Sequence, residues 1–133
     1  MTEIFADTFY FLALLNSRDE AFERTRAVTA SQNSVLVTTA WVMTELADAL
    51  RKPKMRAEFL DTFRMLRDDA STIIVGPEQR WFDAGIELYA TRTDKDWSLT
   101  DCISFVVMRD RGIVAALTGD HHFEQAGFQA ILK

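Results

Sequence analysis

Cysteine, proline and glycine are all scarce in this chain, at one, two and five in 133 residues. A lone Cys102 cannot form an intrachain disulfide, and its place inside an apolar helical run reads as a small core residue rather than a nucleophile. A reducing cytoplasm is the compartment that fits. The glycines build no phosphate-cradling loop, and two histidines with one cysteine give no zinc-ligand spacing. Long hydrophobic runs are missing as well. The longest stretch without charge, Ala27 to Thr44, is full of Ser, Thr, Gln and Asn and is no membrane span. Met1-Thr2-Glu3 passes straight into a strand-like segment, so no leader peptide is expected. Repeats, low-complexity segments and linkers are absent too.

What is present is an ample core. At 48% hydrophobic, residues 1–133 are expected to form one domain. A chain of this size buries about two-thirds of the surface its unfolded form exposes. The net charge of −5 argues, taken alone, against a nucleic-acid partner. That objection weakens if four acids are gathered at one cation, because the rest of the chain is then left at about −1.

The pattern alternates strands with helices. Ile4-Phe5-Ala6, Val35 to Thr39, Thr72 to Val75, Ile113 to Leu117 and Phe128 to Leu132 read as strands from their length and apolar, largely β-branched character. Between them, helices are predicted over Phe9 to Leu15 with Thr8 as cap, Asp19 to Ala30, Ala40 to Arg51, Met55 to Asp69, Glu78 to Thr91, Ser98 to Arg109 and Glu124 to Ala126. Phe22 and Val28 are expected to face inward from the second helix, and Val42, Leu46, Ala49 and Leu50 from the third. The expected architecture is a three-layer α/β/α domain with a five-stranded, mainly parallel sheet flanked by helices.

Ser98 to Phe123 is the stretch on which the rest converges. Its helix is apolar on nearly every face, which requires burial, and it opens on Asp101, three residues after Ser98 as in a capping box. Asp120 follows the next strand, Asp7 follows the first, and Glu45 lies in the N-terminal half of the helix after the second. In an open α/β sheet such positions share the edge at which sites are built. Four converging acids repel and raise each other's pKa values, a conflict that hard divalent cations such as Mg²⁺ or Mn²⁺ resolve with oxygen ligands. That chemistry suits metal-assisted phosphoester hydrolysis. Asp96 is either a fifth acid beside the site or a loop residue, and His121 and His122 serve either the start of a helix or the substrate. Arg51, Lys52, Lys54 and Arg56 form the densest basic cluster, either a solvated loop or a phosphate-contacting rim. On α-helical spacing, Trp81, Ala84, Leu88 and Phe82, Ile86, Tyr89 form adjoining apolar rows that suit a core or a dimer face.

Asp7-Thr8, Thr44-Glu45-Leu46, Ser98-Leu99-Thr100-Asp101 and Leu117-Thr118-Gly119-Asp120-His121-His122-Phe123 together resemble the PIN-domain family, and within it the VapC-type toxin ribonucleases of bacterial toxin–antitoxin systems. The resemblance spans essentially the whole chain and is most specific from Trp97 to Phe128. It implies an Mg²⁺- or Mn²⁺-dependent ribonuclease, often dimeric, restrained by a small antitoxin protein. Asp7, Glu45, Asp101 and Asp120 match the family's acidic quartet, and Thr118 matches its small hydroxyl residue before the last acid. On this reading Asp7 and Asp101 are the principal metal ligands, Asp120 a further ligand directly or through water, and Glu45 a ligand or the group that orients the attacking water. Two other classes share acidic strand ends: a metal-dependent phosphatase or phospho-receiver, and a non-catalytic interaction module. A receiver, however, wants adjacent acids after its first strand, where this chain has Asp7-Thr8.

Overall fold

The computed structural model describes residues 2–31 and 33–133. Its elements follow one another as β1 (Glu3–Ala6), α1 (Thr8–Leu15), α2 (Phe22–Ser31), β2 (Val35–Thr39), α3 (Ala40–Ala49), α4 (Pro53–Asp68), β3 (Thr72–Val75), α5 (Gln79–Thr91), α6 (Leu99–Arg111), β4 (Ala115–Leu117), α7 (His121–Gln125) and β5 (Gln129–Ala130). All pairings are parallel, in the order β3-β2-β1-β4-β5, and helices cover the sheet in a three-layer α/β/α arrangement. Parallel strands buried on both faces explain why β1 and β4 are apolar without alternation. Strand order runs outward from β1 in one direction and from β4 in the other. The reversal between them is where open α/β sheets place their sites.

Local chemistry sets the boundaries that matter. Ser98 and Asp101 do form a reciprocal capping box: Asp101 N–H donates to Ser98 Oγ at 3.0 Å and Ser98 N–H to Asp101 Oδ2 at 3.2 Å. At the other end Gly112 adopts φ 69°, the left-handed turn that closes a helix, and Ile113 N–H donates back to Met108 at 2.9 Å. Ile113 is thereby spent on the cap, and β4 begins at Ala115 rather than at Ile113. Three further expectations are corrected in the same way. Thr8 is the first residue of α1 rather than its cap, because Asp7 holds the extended cap position and the Thr8 hydroxyl turns elsewhere. The last helix starts at His121, since the Asp120 carboxylate accepts the His122 N–H at 2.9 Å and nucleates the turn there. In α2 the fully buried residue is Thr25 and Phe22 is only half-buried, whereas Val28, also half-buried, does pack on the core as expected; Ala49 of α3 faces solvent.

The apolar interior is continuous beneath the reversal point. Phe5 of β1, Phe105 of α6 and Phe123 of α7 are fully buried, and Phe105 meets Phe123 edge-on with ring centroids 5.0 Å apart. Trp97 packs edge-on against Phe105 from the other side at 5.0 Å and donates its indole N–H to Gln125 at 3.0 Å. These aromatic contacts fix α6 and α7 against β1, and with them the acids those helices carry. Among the described residues no helix is long and apolar enough to cross a membrane.

Candidate metal centre

Asp7 leaves the carboxyl end of β1 and Thr118 that of β4, neighbours in the sheet. Both are buried, and Thr118 Oγ1 donates to Asp7 Oδ2 at 3.0 Å. The same hydroxyl accepts the Asp120 N–H at 3.1 Å, so one threonine ties the first acid to the last. Gly119 is required between them: a Cβ there would strike the Phe9 ring of α1. Asp101 is lodged in the capping box at the start of α6, with its side chain 13% exposed. Glu45 of α3 is solvent-exposed, and its carboxylate accepts a hydrogen bond from the Thr8 hydroxyl, which holds it toward the first strand end.

Electrostatics links the four acids. The Asp7 carboxyl is raised from 3.8 to about 7, chiefly by burial, with the Thr118 hydrogen bond opposing the rise and the charges of Asp101 and Glu45 adding to it. Burial also raises Asp101, where the Ser98 N–H opposes it and Asp120 and Glu45 add to it. No Lys or Arg among the described residues pairs with Asp7, Glu45, Asp101 or Asp120. A set of carboxylates gathered without a counter-charge is a donor set for a hard cation. The acids are not all crowded to ligand spacing. The group whose donor atoms lie within 4.8 Å of one another is Asp120, His121 and His122.

His122 is the residue whose place the sequence left open. Its Nδ1 lies 3.3 Å from Asp101 Oδ2 and 3.3 Å from Asp120 Oδ1, whereas His121 is 62% exposed and approaches only Asp120, at 3.7 Å. An acid-His-His run after a strand end was the only signal available. Asp96 is exposed in the connection between α5 and α6, beside Arg92, Lys95 and Trp97, with no contact to the four acids. The basic cluster is not at the acids either. Arg51 donates to Asp48 O at 2.9 Å and Arg56 to Arg51 O at 2.6 Å, so both close the far end of α3. At 1.5 Å rise per residue the end of α3 at Ala49 lies roughly 6 Å beyond Glu45 along the helix, and Arg51 follows it.

No family model matches the chain. It is similar to the 23S rRNA-specific endonuclease VapC20 of Mycobacterium tuberculosis, at 28% identity over 130 residues that cover 94% of this chain and 95% of the relative. Among solved structures, the crystal structure of Mycobacterium tuberculosis VapC20, a Sarcin-Ricin loop cleaving toxin, matches with a TM-score of 0.85 and 25% identity, covering 94% of this chain and 95% of that one.

Proposed function

We propose that this chain, a PIN-like domain resembling the VapC-type toxin ribonucleases, is a divalent-metal-dependent endoribonuclease and the toxin half of a toxin–antitoxin pair. The observation that carries this reading is the mutual electrostatic influence of Asp7, Glu45, Asp101 and Asp120 around the β1–β4 reversal, with no Lys or Arg among the described residues paired to them. Residues 1–133 act as one domain on this reading, since their buried apolar side chains form one cluster.

The donor set fits Mg²⁺ or Mn²⁺, with Asp7, Asp101 and Asp120 as ligands. Such an ion, when bound, lowers the pKa of an attacking water and offsets charge on the phosphate oxygens. The chain's own residues do the rest. Thr118 fixes Asp7 through Oδ2, and the Ser98 N–H fixes Asp101 through its Oδ2. Glu45, exposed and held by Thr8, faces the side from which substrate arrives and is placed to orient the attacking water. Asp7 is buried and the Asp101 side chain is 13% exposed, so the first lies on the inner side of the site and the second nearer its surface.

RNA is the substrate and a small antitoxin protein the regulatory partner. The relative's target makes 23S rRNA the first RNA to test. A homodimer is supported by Phe82, Ile86 and Tyr89, which stand exposed in one row on α5. A cytoplasmic location agrees with the buried, unpaired Cys102. The deciding experiment incubates purified protein with total RNA and with ribosomes, in Mn²⁺ or in EDTA, with Asp101→Asn alongside. Cleavage that needs metal and disappears in the variant is expected. Cleavage unchanged by EDTA or by Asp101→Asn would sink the assignment.

A further inference from the structure

We propose that His122 is a positioning residue of the acidic centre, whose Nδ1–H is shared between Asp101 and Asp120 and sets the separation of the two carboxylates. The inference rests on the metal-dependent reading above and deepens it, because it assigns a residue outside the acidic quartet to the affinity of the site.

The geometry is specific. Nδ1 of His122 is fully buried and has no formal hydrogen-bond partner, yet it stands 3.3 Å from a carboxylate oxygen on each side. Those distances are within reach of a hydrogen bond, but the ring N–H is not aimed at either oxygen, so a rotation of the imidazole is what closes the contact. A nitrogen facing two carboxylates keeps its proton, because a bare lone pair there would be repelled from both sides. The neutral Nδ1–H tautomer and the imidazolium make the same contact, so the clamp works in either charge state.

Which oxygens it meets is the second point. His122 faces Asp101 Oδ2, the oxygen already taken by Ser98 N–H, and Asp120 Oδ1, the oxygen already taken by its own backbone N–H. Asp101 Oδ1 and Asp120 Oδ2 accept no hydrogen bond among the described residues. Each acid thus has one oxygen anchored and one available to a cation. The core brings the two elements together, since Phe123 follows His122 in α7 and meets Phe105 of the Asp101 helix edge-on, and within that frame the clamp fixes the spacing of the carboxylates themselves. Outer-sphere donors that fix ligand carboxylates in this way commonly contribute about 10- to 100-fold in metal affinity.

The test is Mn²⁺ binding by titration calorimetry, with RNA cleavage measured on the same preparations of wild type, His122→Ala, His122→Leu and His122→Asn. Asn places an amide N–H near the position of Nδ1, while Leu keeps bulk without a donor. Ala and Leu are expected to weaken Mn²⁺ binding by about 10- to 100-fold and Asn to recover most of it. Leu behaving as wild type would mean that His122 only fills space, and Asn as weak as Leu would mean that the imidazole itself is needed. Either result overturns the clamp. Wild type that binds Mn²⁺ and cuts RNA while all variants match it defeats the clamp alone, and wild type that takes up no Mn²⁺ defeats both readings.

Discussion

Thr118 and Asp7, 111 residues apart in the chain, are joined by a buried 3.0 Å hydrogen bond that crosses from the end of β4 to the end of β1. The bond spans the one place in the sheet where the strand order reverses, and it holds the most buried acid of the site. Thr118→Val keeps the volume but removes this donor and the acceptor for Asp120 N–H. Metal-free stability is expected to fall by about 1–3 kcal/mol in urea unfolding, with Thr118→Ser close to wild type. A valine variant as stable as wild type would show that the bond contributes nothing.

Asp7 gives a pH dependence with a definite sign. Burial raises its carboxyl from 3.8 to about 7 in the folded, metal-free protein, so the folded state holds this proton more tightly than the unfolded one. The stabilising contribution is complete below pH 3.8 and is lost as pH rises through about 7. Metal-free protein is therefore expected to lose stability across that window from this group, and Asp7→Asn to remove the loss. At pH 8 the variant should be more stable by on the order of 1–4 kcal/mol while inactive on RNA. Parallel stability–pH curves for the two proteins would refute the shift.

Asp101 is part of a helix cap and, on the proposed reading, a metal ligand, and two substitutions separate the roles. Asp101→Asn retains a side-chain oxygen for the Ser98 N–H, so α6 should keep its thermal stability while cleavage disappears. Asp101→Ala keeps the Ser98 cap but loses the reciprocal Ser98 N–H bond, and should cost about 0.5–1.5 kcal/mol more. Equal melting temperatures for the two variants would contradict that bond's contribution.

Gly119 is needed for closeness rather than for an unusual dihedral. A methyl group there meets the far end of the Phe9 ring, so Gly119→Ala must displace either the ring or the Thr118–Asp120 connection. We expect about 1–3 kcal/mol of destabilisation together with weaker metal binding, partly restored by adding Phe9→Leu. No recovery in the double variant would place the strain elsewhere.

The exposed row on α5 predicts a concentration-dependent mass. Ile86→Glu, at a position 41% exposed, puts a charge in the row without touching the core. Light scattering should then find a monomer, against the dimer expected for wild type. A wild type that stays monomeric at high concentration would remove the dimer reading.

Much of this was legible in the sequence because it is local. Apolar β-branched runs, the Ser98–Asp101 box and the Gly112 stop fix their elements over a few residues, and strand–helix alternation forces parallel pairing with shared carboxyl ends. That is why acids after strands and in first helical turns could be nominated without coordinates. The misplaced boundaries are cases where a polar group of the residue has a competing partner. Thr8 bonds Glu45 across 37 positions instead of capping its own helix, and Ile113 completes a helix stop instead of opening a strand.

By itself, then, the sequence determined the elements, the layered parallel class and the candidate acids, since each follows from backbone preferences and burial patterns within a short window. Only the tertiary structure decided that β1 lies beside β4, that Thr118 reaches Asp7, that Glu45 stands in solvent and that His122 sits between Asp101 and Asp120. Strand order and side-chain meeting points depend on how distant segments pack together, and no local pattern carries that information.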